Sequence, residues 1–262
     1  MLVTRYQIQT DLFQGRYTIA VCGDLHDKSR NGKTCIKLLE QLRPDLILLP
    51  GDIVENHAFP LGYGLEFLKT LASMAPCFMS LGNHETGGRH HFIHGKDIIL
   101  SSDSDFKSFL QSISDTGVKL LNNEYVCFGP LVIGGIPSLL WRDSDHHLFT
   151  KEPDLGFLKT FSVTQGYKIL LFHHPELFEK YIAAFPVHLT LAGHAHGGQV
   201  RLFGKGIYAP GQGLFPKLTS GIHTGNFFPD RQMIITKGLS NNTPFPRLFN
   251  PPELVVLSLI GT

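Results

Sequence analysis

Apolar residues fall along the chain in short dense runs separated by segments of helical spacing. YTIAVCG (17–23), DLILLPG (45–51), PCFMSLG (76–82), YKILLFHHP (167–175) and HLTLAGH (188–194) are apolar stretches flanked by Gly or Pro. Such runs are the mark of strands covered on both faces. RQMIITKGL (231–239) and ELVVLSLIG (253–261) add two strands, and YVCFGPLVIGGI (125–136) reads as a hairpin pair. Between them, GKTCIKLLEQLRP (32–44), YGLEFLKTLASMA (63–75), SDFKSFLQSISDTG (104–117) and PELFEKYIAAF (175–185) space their apolar residues as helices with one buried face do. Pro44 and Gly117 supply stops and Ser104 a cap. Strands alternating with helices predict an α/β fold, largely parallel in the first half and with more antiparallel pairing in the second. Long loops are predicted at 84–103, 137–160 and 204–230, and loops of that length tend to carry function.

Composition narrows the class. The 262 residues are 42% hydrophobic and 17% charged, the balance of a globular chain. A net charge of +1 gives no field to attract nucleic acid, so no nucleic-acid partner is expected. None of the four cysteines forms a CxxC pair; Cys22, Cys77 and Cys127 lie in apolar runs and are expected to be buried free thiols of a reducing compartment. No apolar run approaches the ~18 residues of a membrane span, and MLVTRYQIQTDLFQG lacks a signal-peptide core. The expected location is cytoplasmic, or membrane-associated if a further N-terminal segment exists.

The fourteen histidines matter for where they fall. Apolar runs end in GDLHD (Asp24, His26), GDIVEN (Asp52), GNHE (Asn83, His84), HHP (His173, His174) and GHAHGG (His194, His196). The carboxyl ends of parallel strands are where α/β sites assemble. Glycines 23, 51, 82 and 193 permit close backbone approach there. Carboxylates, several imidazoles and one amide oxygen suit divalent Mn, Fe, Zn or Co, and the absence of a thiolate set argues against a structural zinc site. The donors outnumber the needs of one ion; two ions about 3.5–4 Å apart would use them all. Taken singly, each block is also an ordinary turn or helix start; it is their joint occurrence at strand ends that points to a site.

In order and spacing from residue 17 to 200 these blocks match the signatures of the calcineurin-like metallophosphoesterases, which the chain therefore resembles. GGQVRLFGKGIYAPGQ and ITKGLSNNTPFPRLFNPPELVVLSL extend the resemblance to the bacterial YkuE/YaeI-type branch. The resemblance implies one domain over 1–262: two β-sheets packed face to face with helices outside, a four-layer α-β-β-α sandwich of the metallo-dependent phosphatase type. It also implies two divalent metal ions. Asp24, His26 and His196 would bind the first, Asn83, His173 and His194 the second, and Asp52 would bridge them. His173 is preferred over His174. His84 would be catalytic, contacting phosphate and assisting the leaving group while a metal-bridging hydroxide attacks phosphorus. Members of the branch often carry an N-terminal membrane segment, which puts peripheral membrane contact among the implied partners.

The implied substrate is a phosphodiester, phosphomonoester or pyrophosphate of a small molecule or a lipid-linked nucleotide. A phosphoprotein phosphatase and a non-catalytic metal-binding scaffold of the same fold are the alternatives. HExxH and GxSxG are absent, which disfavours a zinc peptidase and a serine hydrolase. Arg89, Arg201 and Arg247 are candidate phosphate contacts by charge. His90, His91, His94, His146 and His147 read equally as solvated loop residues. The aromatics Phe215, Phe227, Phe228, Phe245 and Phe249 have two readings: a lid packed onto the core, or an apolar wall for a lipid or nucleoside.

Overall fold

The computed structural model of the chain describes residues 1–55, 62–86, 92–93, 96–97, 103–142, 148–240 and 246–262. Two six-stranded sheets are built from β1 (Leu2–Thr10), β2 (Gly15–Val21), β3 (Leu46–Leu49), β4 (Cys77–Met79), β5 (Lys119–Leu120), β6 (Glu124–Phe128), β7 (Leu131–Ile136), β8 (Tyr167–Phe172), β9 (Leu189–Ala192), β10 (Gly221–Thr224), β11 (Gln232–Ile235) and β12 (Glu253–Gly261). The first sheet runs β1-β12-β2-β3-β4-β5 and the second β10-β11-β9-β8-β7-β6. In the first, β2 to β5 are parallel, β1 is parallel to β12, and only β12 against β2 is antiparallel.

The period-two alternation of the strands decides the layers. Ile19, Val21, Leu46 and Leu48 pack into one buried cluster with Ile169, Leu171, Leu189 and Leu191, the filling between the sheets. Ala20, Cys22, Ile47 and Leu49 belong to another cluster with residues of α1 (Ser29–Leu42), α2 (Gly64–Met74) and α3 (Asp103–Ser114). Leu170 and Phe172 of β8 join a third with α4 (Leu155–Val163) and α5 (Phe178–Tyr181). Each fully buried aliphatic side chain is worth about 1.5–3 kcal/mol relative to exposure. The result is the α-β-β-α sandwich that the resemblance implies.

Four sequence expectations are corrected. The second half is parallel at its centre (β7, β8, β9, β11) and antiparallel only at its two edges. The reason is that KILLF and LTLA are apolar on both faces and need cover on both, which suits parallel strands. β1 and α4 were not predicted; α4 starts inside the expected 137–160 loop, at Asp154, whose carboxylate accepts the Phe157 N–H at 2.9 Å. The segment 175–185 is a 3₁₀ turn at Pro175–Leu177 followed by the single-turn α5. Cys127 is exposed on edge strand β6, whereas Cys22, Cys35 and Cys77 are buried; all four are free thiols. As expected, α1 ends before Pro44, where Arg43 turns left-handed at φ 49° and its N–H donates to Leu39 O at 2.9 Å. Among the described residues no helix is long and apolar enough to cross a membrane.

One buried-edge histidine makes the fold sensitive to acid. His188 stacks on Tyr167 with ring centroids 4.9 Å apart, and its Nδ1 accepts the Lys168 N–H at 2.8 Å. Burial, then the charges of Lys168 and Arg231, push its pKa down to about 4. The unfolded value is about 6.5, so stability present above that pH is lost as pH falls toward the folded value. Because the ring is partly exposed, the loss is on the order of 1 kcal/mol. His188→Gln should flatten the drop in denaturation midpoint between neutral pH and the acid side of the His range. An unchanged slope would show that other groups carry it.

Candidate metal centre

Five segments leave parallel strands at their carboxyl ends and converge where the sheets meet: 22–27 after β2, 50–55 after β3, 80–86 after β4, 173–174 after β8 and 193–198 after β9. Their backbones bond to each other. Asp24 N–H donates to Gly51 O at 3.1 Å and His26 N–H to Asp52 O at 3.1 Å. Asp24, His26, Asp52, His194 and His196 all hold left-handed φ, between 47° and 65°. That conformation costs a residue with a side chain about 1–2 kcal/mol, and strain of this kind gathers at functional sites. Two glycines are sterically required. A Cβ on Gly82 would strike the Asp52 carboxylate, and one on Gly193 would fall 2.5 Å from Asp24 Oδ2.

Four overlapping groups of candidate ligands form among the described residues; two of them (His26, Glu55 and His84; His174, Glu176 and His194) each share a ring with one of the other two. Asp24, His26 and His196 offer ligand atoms all within 4.8 Å of one another, and so do Asp52, His173 and His194. Asp52 Oδ2 lies 3.1 Å from His173 Nε2, 3.9 Å from His84 Nε2 and 4.0 Å from His26 Nε2, so it faces both groups. Asp24 Oδ2, His26 Nε2, Asn83 Oδ1 and His194 Nε2 are buried with no hydrogen-bond partner among the described residues. Buried polar atoms are normally satisfied, and orphaned carboxylate, amide and imidazole atoms on the segments that build this site fit a cation.

Outer partners orient the rings. His173 Nδ1 is 2.9 Å from Pro50 O and His26 Nδ1 is 2.7 Å from Glu55 Oε1. A carbonyl and a carboxylate only accept, so each ring donates Nδ1–H and points its Nε2 inward. Against burial, the Asp52 charge pushes the His173 pKa up to about 9 and the hydrogen bond to Glu55 raises that of His26, so a cation bound here would displace a proton from these rings. His196 Nδ1 sits 3.3 Å from Ser240 O. Burial, then His174, holds the His194 pKa well below the usual range, and burial, then His26, does the same for His196. For these two rings burial favours the neutral imidazole that a metal ligand must be. Burial works against ionising Asp52, yet His173 and then His84 hold its pKa well below the carboxylate range. His173 is brought to Asp52, whereas His174 turns away, its Nε2 2.7 Å from Ser138 Oγ and its Nδ1 3.3 Å from Glu176.

Three acidic residues of the site were missed in the sequence. Glu55 takes His26 Nδ1 on one oxygen and His84 Nδ1 on the other, both at 2.7 Å. Glu85 accepts main-chain N–H groups of Asp52 (2.9 Å), Ile53 (2.6 Å), Val54 (2.9 Å) and Gly82 (2.8 Å), locking two segments together. Burial, then the Asp52 charge, pushes the Glu85 pKa up to about 7 against the Val54 and Asp52 N–H donors and the His173 charge. Asp27 accepts the Glu55 N–H at 2.7 Å and the Gly64 N–H. The signal for all three was in plain view in GDLHD, GDIVEN and GNHE, whose acidic members beyond the first carried no assigned role.

The candidate phosphate-binding arginines fare differently. Arg201 donates to Gly197 O at 2.8 Å, to Thr219 Oγ1 at 3.3 Å and to Gly204 O, so its guanidinium braces a hairpin against the His196 turn. Arg247 donates to Gly238 O at 3.1 Å and to Lys237 O; burial lowers its pKa to about 10, with Asp24 and Glu253 opposing. Both are tied to the main chain through their terminal nitrogens, and Arg247 Nε is buried with no hydrogen-bond partner among the described residues. Arg89, His57, His90, His91, His94, His146, His147 and Phe245 lie outside the described residues. Phe215, Phe227 and Phe249 are 74%, 86% and 81% exposed, which rules out the packed lid.

A family model described as calcineurin-like phosphoesterase matches residues 17–198, the span that holds all five segments. The chain is 29% identical over 226 residues to an uncharacterized metallophosphoesterase of Aquifex aeolicus, covering 86% of this chain and 76% of that one. It is 26% identical over 238 residues to the uncharacterized metallophosphoesterase YkuE of Bacillus subtilis, covering 88% and 73%. It is 24% identical over 284 residues to the UDP-2,3-diacylglucosamine pyrophosphatase LpxG of Chlamydia muridarum, covering 91% and 82%. Among solved structures, TT1561 of Thermus thermophilus shares the fold, with a TM-score of 0.51 at 13% identity over 86% of this chain and 91% of that one.

The Glu85 contacts generate a stability test. Glu85→Ala strands four buried main-chain donors, each costing about 1–3 kcal/mol when unsatisfied. The variant should lose at least about 3 kcal/mol in denaturant unfolding. A loss under about 1 kcal/mol would show that water replaces the carboxylate at no cost.

Proposed function

Because this chain belongs to the calcineurin-like phosphoesterase family, and is with it a phosphoester hydrolase, we propose that it works as a dinuclear metal-dependent enzyme on phosphodiester, phosphomonoester or pyrophosphate bonds of small molecules or lipid-linked nucleotides. The observation that carries this reading is the set of partnerless buried acceptors on these segments, with the Nε2 atoms of His173, His84 and His26 within 4.0 Å of Asp52 Oδ2, a donor set that fits two divalent cations. In this reading Asp24, His26 and His196 hold one ion, Asn83, His173 and His194 hold the other, and Asp52 serves both. The nitrogen and oxygen donors suit Mn, Fe, Zn or Co. Ions bound there supply Lewis acidity toward phosphoryl oxygens and bring the pKa of water toward neutrality. Residues 1–262 act as one domain, since β1 and β12, from opposite ends of the chain, pair along their whole length.

His84 is the proposed catalytic residue. Glu55 fixes its Nδ1, and its Nε2 faces the centre, 3.9 Å from Asp52 Oδ2. From there Nε2 can carry a proton to the leaving oxygen while Glu55 supports the positive charge on the ring. Burial, the leading influence, holds the His84 pKa below the ordinary value, and the Asp52 and Glu55 charges oppose it. Glu55 is a positioning residue, because it acts through two rings. The LpxG name concerns that protein; its similarity brings a lipid-linked pyrophosphate into the range of proposed substrates.

The first test is a titration of Mn²⁺ into metal-stripped protein, with bis-p-nitrophenyl phosphate and p-nitrophenyl phosphate followed side by side. Activity should saturate near two ions per chain, and the ratio of the rates sorts diesterase from monoesterase. Two ions bound with no hydrolysis of either would overturn the reading. His84→Ala should lower kcat by about 10²–10⁴ with metal content unchanged, whereas Asp52→Asn should lose metal and activity together. Glu55→Gln should cost about 10–100-fold and displace the pH profile of kcat; a flat loss at every pH would make its role merely structural.

A further inference from the structure

Beyond His196 the chain folds into short hairpins, Arg201–Leu202 with Lys205–Gly206 and Tyr208–Ala209 with Gly213–Leu214. These turn apolar side chains outward. Phe203 is 103% exposed and Leu214 70%, beside the exposed Phe215 and Phe249. Phe203, Phe215 and Phe249 each hold left-handed backbone, at φ 49°, 55° and 54°. That region is a true outlier for bulky residues, and no burial of these rings compensates for it.

The pieces adjoin one another and the metal centre. Arg201 N–H donates to Leu248 O at 3.0 Å and Phe215 N–H to Ile207 O at 2.8 Å. A cavity of about 490 Å³ is lined jointly by Arg201, Lys205, Phe215 and Lys217. Arg201 reaches Gly197 O at 2.8 Å, and Asn250, next to Phe249, donates to His196 O at 2.7 Å. The hairpins themselves carry only positive charge. Between Glu179 and Asp230 the sequence has no Asp or Glu, while Arg201, Lys205 and Lys217 fall inside that stretch; Glu176 and Glu179 line a separate cavity behind Phe215 and Lys217, with Phe178 and Met233.

We propose that this rim docks the protein on a lipid bilayer bearing anionic headgroups. The aromatic and leucine tips enter the interfacial layer and the lysines pair with headgroup phosphates. Docking on this rim holds the metal centre beside the bilayer surface; that a lipid phosphate ester is then hydrolysed there rests on the function proposed above, but the docking itself does not. A second copy of the chain is a poor occupant, because two such rims would set like charges face to face.

The test is cosedimentation of the metal-loaded chain with vesicles of phosphatidylcholine alone and of phosphatidylcholine mixed with phosphatidylglycerol. Binding is expected to the mixed vesicles only, and to weaken as salt rises. Phe203→Ser combined with Leu214→Ser, and separately Lys205→Glu combined with Lys217→Glu, should each lower binding at least about tenfold. Circular dichroism and hydrolysis of a soluble diester should stay unchanged in both. The proposal is overturned if neither vesicle binds, if both variants bind undiminished, or if light scattering finds a dimer that the Phe203/Leu214 variant dissolves. Vesicle binding without soluble-diester hydrolysis by the unaltered chain would keep the docking and discard the enzymatic reading.

Discussion

Two carboxylates with no access to water govern this molecule. Asp24 and Asp52 are both essentially fully buried, and a buried charge costs several kcal/mol unless it is paired and hydrogen-bonded. Each receives one main-chain donor, His194 N–H on Asp24 at 2.9 Å and His84 N–H on Asp52 at 2.8 Å. Asp52 turns its other oxygen toward the imidazoles of His173, His84 and His26, and Asp24 Oδ1 lies 3.8 Å from His196 Nε2. That need for positive charge at one point explains why strands from two separate sheets end at the same place. It also explains why the chain tolerates left-handed backbone at Asp24, His26, Asp27, Asp52, His194 and His196.

Around this centre the protein spends other carboxylates on geometry. Glu85 joins the segments after β3 and β4 through four main-chain donors, Asp27 fixes the Glu55 backbone, and Glu55 holds two rings in a chosen tautomer. Deleting any of these would leave buried donors unmatched, which is costlier than the bond itself is worth. The site is thus held by more constraints than it has moving parts, as chemistry that depends on sub-ångström placement requires.

The rim follows the opposite logic. Its hairpins are two residues per strand, its glycines and phenylalanines turn left-handed, and its apolar groups face outward. Arg201 illustrates the division: a cation legible in the sequence as a phosphate ligand is occupied by three loop oxygens, where it stiffens the passage from the His196 turn to the hairpin. A rigid centre and a projecting rim thus share one continuous loop.

The strand ends are written in the local order of residues. GDLHD, GDIVEN, GNHE, HHP and GHAHGG each place a polar group directly after an apolar run, and such a boundary is local, so one-dimensional pattern reports it. For the same reason the buried strands, α1 to α3 and the resemblance to a family were legible. What meets across the chain is settled only once it folds. β1 pairs with β12 from the opposite terminus, Glu55 is shared by His26 and His84, and His173 rather than His174 reaches Asp52 because one ring after β8 turns inward and the other toward Ser138. The exposure of Phe215 and Phe249, and of Cys127, was equally invisible in sequence, since an apolar residue on a loop or an edge strand reads the same whether its outer face is covered or bare. These outcomes depend on through-space neighbours and on the long-range register of two sheets, and neither is encoded in any single stretch of residues.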